Sequence, residues 1–274
     1  MQSCITVITL CRNNPQDLAE TLAALPAAVK GLQQTWELLV LDGSDGQECL
    51  LVAKKCAAEW KLPLRYEWRQ AGGIYAAMNQ ALELSKGRLV AFMHAGDRYT
   101  PGALVVLVDH WEASGQPAAV FGQAWVQPLH EAVPTIQPWL TPPADVRLEL
   151  WLSHMVPCHQ AFMFEGDFAR SHRYDTESIV ADRRVMRKAI QRAGLTCFLP
   201  RPVCVFRLGG SSNQLPTTRE LVRRVRERGR SPGERIMEPI KWVIGVLGLA
   251  SHQPRMMHMH ALIWGWLCRL PGPQ

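Results

Sequence analysis

Residues 72–97 read GGIYAAMNQALELSKGRLVAFMHAGD, and this stretch decides the fold. Its glycine pair precedes apolar residues at helical spacing, a Lys-Gly turn follows them, and a short apolar run then leads to Asp97. The pattern predicts a helix over residues 74–84 and a strand over residues 89–93. Open α/β sheets bind ligands at the carboxyl ends of their strands, where a carboxylate suits a divalent cation that carries phosphates. Taken alone, the stretch favours a simpler alternative, in which Asp97 only opens a turn.

The neighbouring segments repeat the alternation of helix and strand. Apolar, strand-like runs cover residues 4–10, 36–41 and 64–68, and helical patterns separate them. This alternation predicts crossover connections, and therefore an α/β fold with a mainly parallel central sheet. Farther along, the patterns predict a helix over 101–112, a strand over 118–125, a proline-rich loop over 128–146, a strand over 155–164, a helix over 179–193 and a strand pair over 196–206.

Length and charge limit the organisation of the chain and its partners. The 274 residues suffice for one large α/β domain, which we expect over residues 1–215, plus a basic, amphipathic helical region over residues 216–274. The net charge of +6 favours an anionic partner, and six arginines fall within residues 219–230. A solvated helix face is the alternative explanation of that cluster. No aromatic residues that could stack on bases are interleaved with it, so we expect no nucleic-acid partner.

Cysteine usage and hydropathy favour a cytoplasmic location. The eight cysteines form no CxxC pair, and several lie within apolar strand-like runs, which is typical of buried thiols in a reducing compartment. No signal-peptide pattern is present, because a strand is already predicted from residue 5. No apolar run reaches the length of about 18 residues that a membrane span requires.

Seven segments, taken in order, carry a resemblance to a known family. They are ITVITLCRNN, LLVLDGSDG, GGIYAAMNQAL, KGRLVAFMHAGDRY, CHQAFMF, RYDTESIVADRRVMRKAIQRAG and FRLGGSSN. Over residues 5–213 the chain resembles the family 2 glycosyltransferases of the GT-A fold, and especially the bacterial group that builds exopolysaccharides of the colanic-acid kind. The resemblance implies an inverting glycosyltransferase. Such an enzyme moves a sugar from a nucleotide diphosphate donor to a growing, lipid-linked saccharide.

The resemblance assigns a divalent metal, Mn²⁺ or Mg²⁺, to Asp97. Relatives often carry two or three aspartates in this segment, whereas here it reads His94-Ala95-Gly96-Asp97. Either Asp97 alone anchors the metal, with the diphosphate and water completing the coordination shell, or metal dependence is weakened. His94 offers a nitrogen ligand, but a structural histidine is the favoured interpretation.

Two acidic residues at the end of the second predicted strand are candidates for donor binding. The resemblance implies that Asp42 and Asp45 hydrogen-bond the base or ribose of the nucleotide sugar. A turn aspartate that bonds its own backbone is the alternative, and for Asp45 the two interpretations are balanced. Arg12, which follows the first strand, is a weaker candidate for the same pocket.

The loop that opens the 72–97 stretch adds three donor-binding candidates. At Gly73 the backbone can approach a ligand without obstruction by a side chain. Tyr75 and Asn79 lie in the helix predicted over residues 74–84, which is part of the resemblance. Relatives carry aspartates where this chain has Ala71 and Ala76, so their donor preference does not transfer.

Asp182 is the candidate catalytic base. The resemblance implies that an aspartate at this place accepts the proton of the acceptor hydroxyl. An N-terminal helix cap, worth about 1 kcal/mol, is the alternative. Arg183 and Arg184 follow it, and guanidinium groups can hold an anionic diphosphate. His159 lies in CHQAFMF. That segment fits two interpretations equally well: His159 lies beside the acceptor, or it is a buried structural histidine.

The last segment suits a membrane surface. Beyond residue 236, apolar clusters alternate with basic residues, and Trp264 and Trp266 lie near Arg269. This is typical of an interfacial helix on anionic headgroups, and it predicts a peripheral position on the inner face of the cytoplasmic membrane. A helical appendage packed on the catalytic domain is the alternative.

A second class of function competes with catalysis. The acidic residues missing at positions 71, 76 and 94 favour a non-catalytic module that binds a nucleotide or a sugar in a degenerate GT-A site. The presence of both Asp97 and Asp182 argues against that hypothesis.

Overall fold

A nine-stranded sheet runs through the part of the chain that the computed structural model describes, residues 4–127, 134–136, 141–142, 148–178 and 180–208. Its strands are β1 (Ile5–Cys11), β2 (Trp36–Asp42), β3 (Leu64–Trp68), β4 (Leu89–Phe92), β5 (Arg98–Tyr99), β6 (Ala119–Gln127), β7 (Thr135–Ile136), β8 (Phe162–Glu165) and β9 (Phe198–Arg207). The helices are α1 (Pro15–Ala28), α2 (Glu48–Trp60), α3 (Ile74–Leu84), α4 (Ala103–Ala113), α5 (Leu148–His154), α6 (Gly166–Ser171) and α7 (Ala181–Ala193).

The sheet has a parallel half and a mixed half. Its strand order is β3-β2-β1-β4-β8-β6-β9-β5, and β7 pairs with β6 outside this path. Strands β1 to β4 are parallel, as the alternation of helices and strands predicts. Strand β8 runs antiparallel to both β4 and β6, and β9 is parallel to β6. The predicted α/β class is confirmed, and its sheet is less uniformly parallel than the sequence suggests.

Two apolar layers cover the sheet because side chains alternate between its faces. Along β1, Ile5 and Val7 join the layer formed by α1, α2 and α4, whereas Ile8 joins the layer formed by α3, α6 and α7. Every residue of β1 is buried, which is typical of a central parallel strand. Large side chains fill both layers, including Trp111 in the first and Phe162 in the second.

Three predicted elements differ in detail. The strand predicted over 155–164 is a 3-10 turn at His159–Ala161 followed by the shorter strand β8. The strand pair predicted over 196–206 is the single strand β9. Its two prolines fit because β9 pairs with β6 through register shifts near Gln123. Helix α7 begins at Ala181, later than the predicted residue 179.

Several predictions concern residues outside the described part. Residues 209–274 lie outside it, and with them the expected boundary at residue 215 and the basic region over 216–274. Of the predicted loop over 128–146, only residues 134–136 and 141–142 are described, and they include β7. Within the described ranges, no helix combines the length and apolarity needed to cross a membrane.

Candidate active site

The carboxyl ends of β1, β2 and β4 lie side by side at one edge of the sheet. Cys11 pairs with Asp42 in the register of β1 and β2, and Ile8 pairs with Phe92 in that of β1 and β4. The turns that follow these strands therefore meet at one edge. This edge holds most of the residues that the sequence nominated, in the position where ligands of α/β sheets bind.

Asp42 is buried at this edge and accepts several hydrogen bonds from the protein. Its Oδ1 accepts from the backbone N–H of Ser44 at 2.8 Å, from the Ser44 hydroxyl at 2.5 Å and from the Cys11 thiol at 3.5 Å. Its Oδ2 accepts from the hydroxyl of Tyr66 on β3. Asp42 therefore fixes the turn after β2, and its contact with a donor stays a prediction.

The turns after β1 and β2 are joined by side-chain hydrogen bonds. Asn13 donates from its side chain to Asp45 Oδ2 at 2.9 Å, and the backbone N–H of Asp45 donates back to Asn13 Oδ1 at 3.0 Å. Asn13 has a φ of 54°, a left-handed conformation that asparagine tolerates better than most residues. Arg12, its neighbour, is exposed. Asp45 is thus tied to the turn after β1, and its contact with a donor stays a prediction.

Trp68 lies at the same rim and is absent from the sequence-based candidates. Its indole N–H donates to the Ser44 carbonyl at 2.8 Å, yet the residue is 54% exposed. An exposed, oriented aromatic face can stack on a nucleobase. The signal in the sequence was an aromatic residue at the carboxyl end of a predicted strand. Its position beside Asp42 becomes clear only when β3 is paired with β2.

Asp97 is buried in the turn after β4. Its Oδ1 accepts the backbone N–H of Arg207 at 2.9 Å, and its carboxylate also receives a hydrogen bond from the Gln160 side chain. Burial raises the pKa of Asp97 to about 7, and the nearby Asp17 carboxylate adds to this rise, whereas the Arg207 and Gln160 contacts oppose it. The preceding Gly96 has a φ of 102°, which glycine adopts without strain.

Arg207 ties β9 to α1 across this turn. Its Nη1 donates to Asp17 Oδ1 at 2.9 Å and to Glu20 Oε2 at 3.3 Å. Sequence reasoning missed Arg207 because its contact with Asp97 uses the backbone N–H, which any residue except proline supplies.

Two histidines lie beside this turn with parallel rings. The His94 and His159 ring centroids are 6.3 Å apart, and the interplanar angle is 9°. Burial lowers the pKa of His94 to about 3 and that of His159 to about 4, so both rings are neutral near pH 7. His159 Nε2 lies 2.9 Å from the Tyr174 hydroxyl. Nδ1 of each histidine is buried without a hydrogen-bond partner among the described residues.

The aromatic row continues to Asp182. Tyr174 stacks on Tyr75 with centroids 6.0 Å apart, and the Tyr75 hydroxyl donates to Asp182 Oδ1 at 2.9 Å. Asp182 is the second residue of α7, and the N-cap position belongs to Val180. The structure therefore brings Asp182, Tyr75 and His159 into one cluster, and Asp182 is not the N-cap of its helix.

Asn79 supports the row from α3. Its Nδ2 donates to the Tyr174 carbonyl at 2.7 Å, and its Oδ1 accepts the Tyr174 N–H at 2.8 Å. Both ends of this buried amide thus bind backbone, and its contact with the donor stays a prediction. Gly73 is exposed at the start of the helix with a φ of 94°, as the predicted loop requires.

Two places in the described ranges offer metal ligands. Cys11, Asp42 and Cys49 are all buried, and their ligand atoms lie within 4.8 Å of one another. Burial raises the pKa of the Cys11 thiol far above its usual value, and Asp42 already accepts hydrogen bonds there. A cation that neutralises a diphosphate prefers oxygen ligands. Asp97 is therefore the stronger candidate for that cation.

Comparisons with known proteins identify the family of this chain. The chain belongs to glycosyl transferase family 2, which matches residues 6–168. Uncharacterised glycosyltransferases of two Mycobacterium tuberculosis strains (CDC 1551 / Oshkosh and ATCC 25618 / H37Rv) are each 27% identical to it over 198 residues, 70% of this chain and 70% of the relative. The chain is accordingly a transferase.

Solved structures confirm the GT-A fold. S. aureus TarS 1–349 in complex with UDP-GlcNAc has a TM-score of 0.60 and 16% identity, over 87% of this chain and 69% of that one. The mannosyltransferase PcManGT from Pyrobaculum calidifontis, in complex with GDP-Man and Mn²⁺, has a TM-score of 0.54 and 15% identity. The match covers 100% of this chain and 77% of that one. A further structure of TarS 1–349 has a TM-score of 0.56 and 15% identity. The match covers 76% of this chain and 60% of the TarS chain.

The Asn79 contacts predict a structural role for that amide. Asn79→Ala leaves the buried N–H and carbonyl of Tyr174 unpaired, so we expect the free energy of unfolding to fall by about 2–4 kcal/mol. Glu83→Ala is the matched control, because it removes an exposed ion pair with Arg173 from the same helix and should cost less than about 1 kcal/mol. Urea denaturation measures both. Equal losses would contradict the structural role of Asn79.

Proposed function

We propose that this protein is an inverting glycosyltransferase that moves a sugar from a nucleotide diphosphate donor to a saccharide acceptor. The single observation that carries the proposal is a series of neighbouring contacts between two carboxylates. Gln160 contacts Asp97, its neighbour His159 contacts Tyr174, and Tyr174 stacks on Tyr75, which binds Asp182. Asp97 is buried beside the turn after β4, and Asp182 is oriented by Tyr75 at the start of α7. One carboxylate suits the leaving diphosphate through a cation, and the other suits the acceptor hydroxyl.

The reaction that fits this arrangement is a single displacement. The acceptor oxygen attacks the anomeric carbon of the donor sugar, and its proton passes to Asp182 Oδ2, the oxygen that Tyr75 does not contact. The bond from the anomeric carbon to the phosphate oxygen breaks, and its electron pair leaves with the diphosphate. One displacement inverts the configuration at that carbon. Base catalysis of this kind contributes about 10²- to 10⁴-fold to the rate.

Asp97 fits a divalent cation, Mn²⁺ or Mg²⁺. It supplies a hard oxygen ligand, and its raised pKa reflects burial that a bound cation would offset. When bound, such a cation neutralises the charge that develops on the diphosphate. On the donor side, we assign Arg12, Asp45 and Gly73 to nucleotide-sugar binding, with Asp42 fixing the turn that carries Asp45.

A non-catalytic sugar- or nucleotide-binding module is the second candidate function. The observation that favours it is the absence of acidic residues at positions 71, 76 and 94, where relatives often have them. Under this hypothesis the protein binds a nucleotide sugar and does not turn it over.

Asp182→Asn tests the base. The substitution keeps the shape of the side chain and an oxygen for the Tyr75 hydroxyl, but removes the proton acceptor. We expect turnover to fall by about 10²- to 10⁴-fold with nearly unchanged donor affinity and melting temperature. Donor screening with UDP- and GDP-sugars identifies the substrate first. Near-normal turnover in the variant contradicts the assignment, and a wild type that binds donors but never turns them over favours the binding module.

Asp97→Asn tests the cation site. Removing the charge should weaken Mn²⁺ binding by at least about tenfold, measured by electron paramagnetic resonance with UDP or GDP present, because a neutral amide is a poorer ligand for a hard cation. Asp17→Asn is the control, since that nearby carboxylate is bound by Arg207. Its Mn²⁺ affinity should stay within about threefold of wild type. Unchanged affinity in Asp97→Asn would remove the metal role.

We further propose that the acceptor is lipid-linked, in the assembly of an exopolysaccharide or another cell-surface polysaccharide on the cytoplasmic side of the membrane. The support comes from the sequence, in which arginines cluster over residues 219–230 and tryptophans occupy positions 264 and 266. The full chain should therefore sediment with vesicles that contain phosphatidylglycerol, and deletion of residues 236–274 or high salt should reduce this. Equal sedimentation with neutral vesicles would contradict the electrostatic part.

A further inference from the structure

The hydroxyl of Tyr75 makes contacts on the acceptor side of the site, although its place after the Gly72-Gly73 loop nominated it for donor binding. It donates to Asp182 Oδ1 at 2.9 Å. One hydroxyl from α3 thus holds the carboxylate at the start of α7. We infer that Tyr75 is the positioning residue for the catalytic base, an inference that rests on the proposed role of Asp182.

The ring of Tyr75 is fixed by contacts that do not involve the base. It stacks on Tyr174 with an interplanar angle of 5°, and Asn79 binds the backbone of Tyr174 through both ends of its amide. Tyr75 and Asn79 are four residues apart on α3, so they lie on the same face of that helix. Helix α3 therefore supports the ring and its stacking partner together, and the hydroxyl has a defined position.

The same hydrogen bond joins the start of α7 to α3. Asp182 is the second residue of α7, and the N-cap residue Val180 offers no side-chain hydrogen bond. The Tyr75 hydroxyl therefore contacts the start of α7 through the side chain of Asp182.

A fixed orientation of the Asp182 carboxylate favours proton transfer. A hydrogen bond to Oδ1 restricts rotation of the carboxyl group and directs Oδ2 to the acceptor hydroxyl, so less ordering remains to be done in the transition state. Burial and the charge of Asp182 raise the pKa of Tyr75 far above its usual value, so its hydroxyl stays protonated and remains a donor. Tyr75 itself exchanges no proton in this scheme.

A double-mutant cycle tests the inference. Tyr75→Phe keeps the stacked ring and removes only the hydroxyl. We expect kcat to fall by about ten- to hundredfold, the range that corresponds to one hydrogen bond to a charged group, while KM for the donor stays within about twofold. In the Asp182→Asn background, the same substitution should lower kcat by less than about twofold, because the group that it positions is already inactive.

Other outcomes have separate meanings. If Asp182→Asn is active, the base assignment fails, and this inference fails with it. If Asp182→Asn is inactive and Tyr75→Phe raises the donor KM at normal kcat, Tyr75 binds the donor and only the inference is overturned. If Tyr75→Phe lowers kcat equally in both backgrounds together with the melting temperature, the hydroxyl only stabilises the fold, which also overturns the inference.

Discussion

The parallel pairing of β1 with β2 on one side and β4 on the other is the constraint on which the site depends. Because all three strands run in the same direction, the chain must leave each of them at the same edge. The turns there carry short polar residues that hydrogen-bond to one another, and Asn13, Ser44 and Asp45 form a small network. The register is held by strands that are buried on both faces, so the network stands on a rigid base.

The mixed half of the sheet supplies what the parallel half lacks. Strand β8 enters from the carboxyl edge, so the 3-10 turn before it brings His159 and Gln160 beside the turn that holds Asp97. Strand β9 ends at the same edge and contributes the Arg207 N–H. Buried charge is costly without such partners. The parallel half of the sheet therefore carries the acidic groups, and the mixed half contributes residues that surround the Asp97 carboxylate.

Much of this arrangement was predictable from sequence. Apolar runs and their alternation with helices predicted β1 to β4 and the edge that carries Asp42 and Asp97, because those signals are local. The part that failed depends on long-range contacts. The sequence cannot show that Asn79 binds the backbone of Tyr174, that Trp68 is oriented by Ser44 or that Arg207 reaches Asp97 through its main chain. Nothing local to Tyr75 predicts its hydrogen bond to Asp182 on α7, and its donor contact stays a prediction.

The closure of the Asp97 turn by Arg207 also bears on how the molecule assembles. That hydrogen bond joins residues 110 positions apart, and the guanidinium of Arg207 reaches α1 across 190 positions. Contacts of such long sequence separation form late, because the loops between them must close first. On the ribosome, β1 to β4 emerge well before β9, so this edge passes through a stage in which the Asp97 carboxylate is still hydrated. Closure of the Asp97 turn is thereby coupled to synthesis of β9.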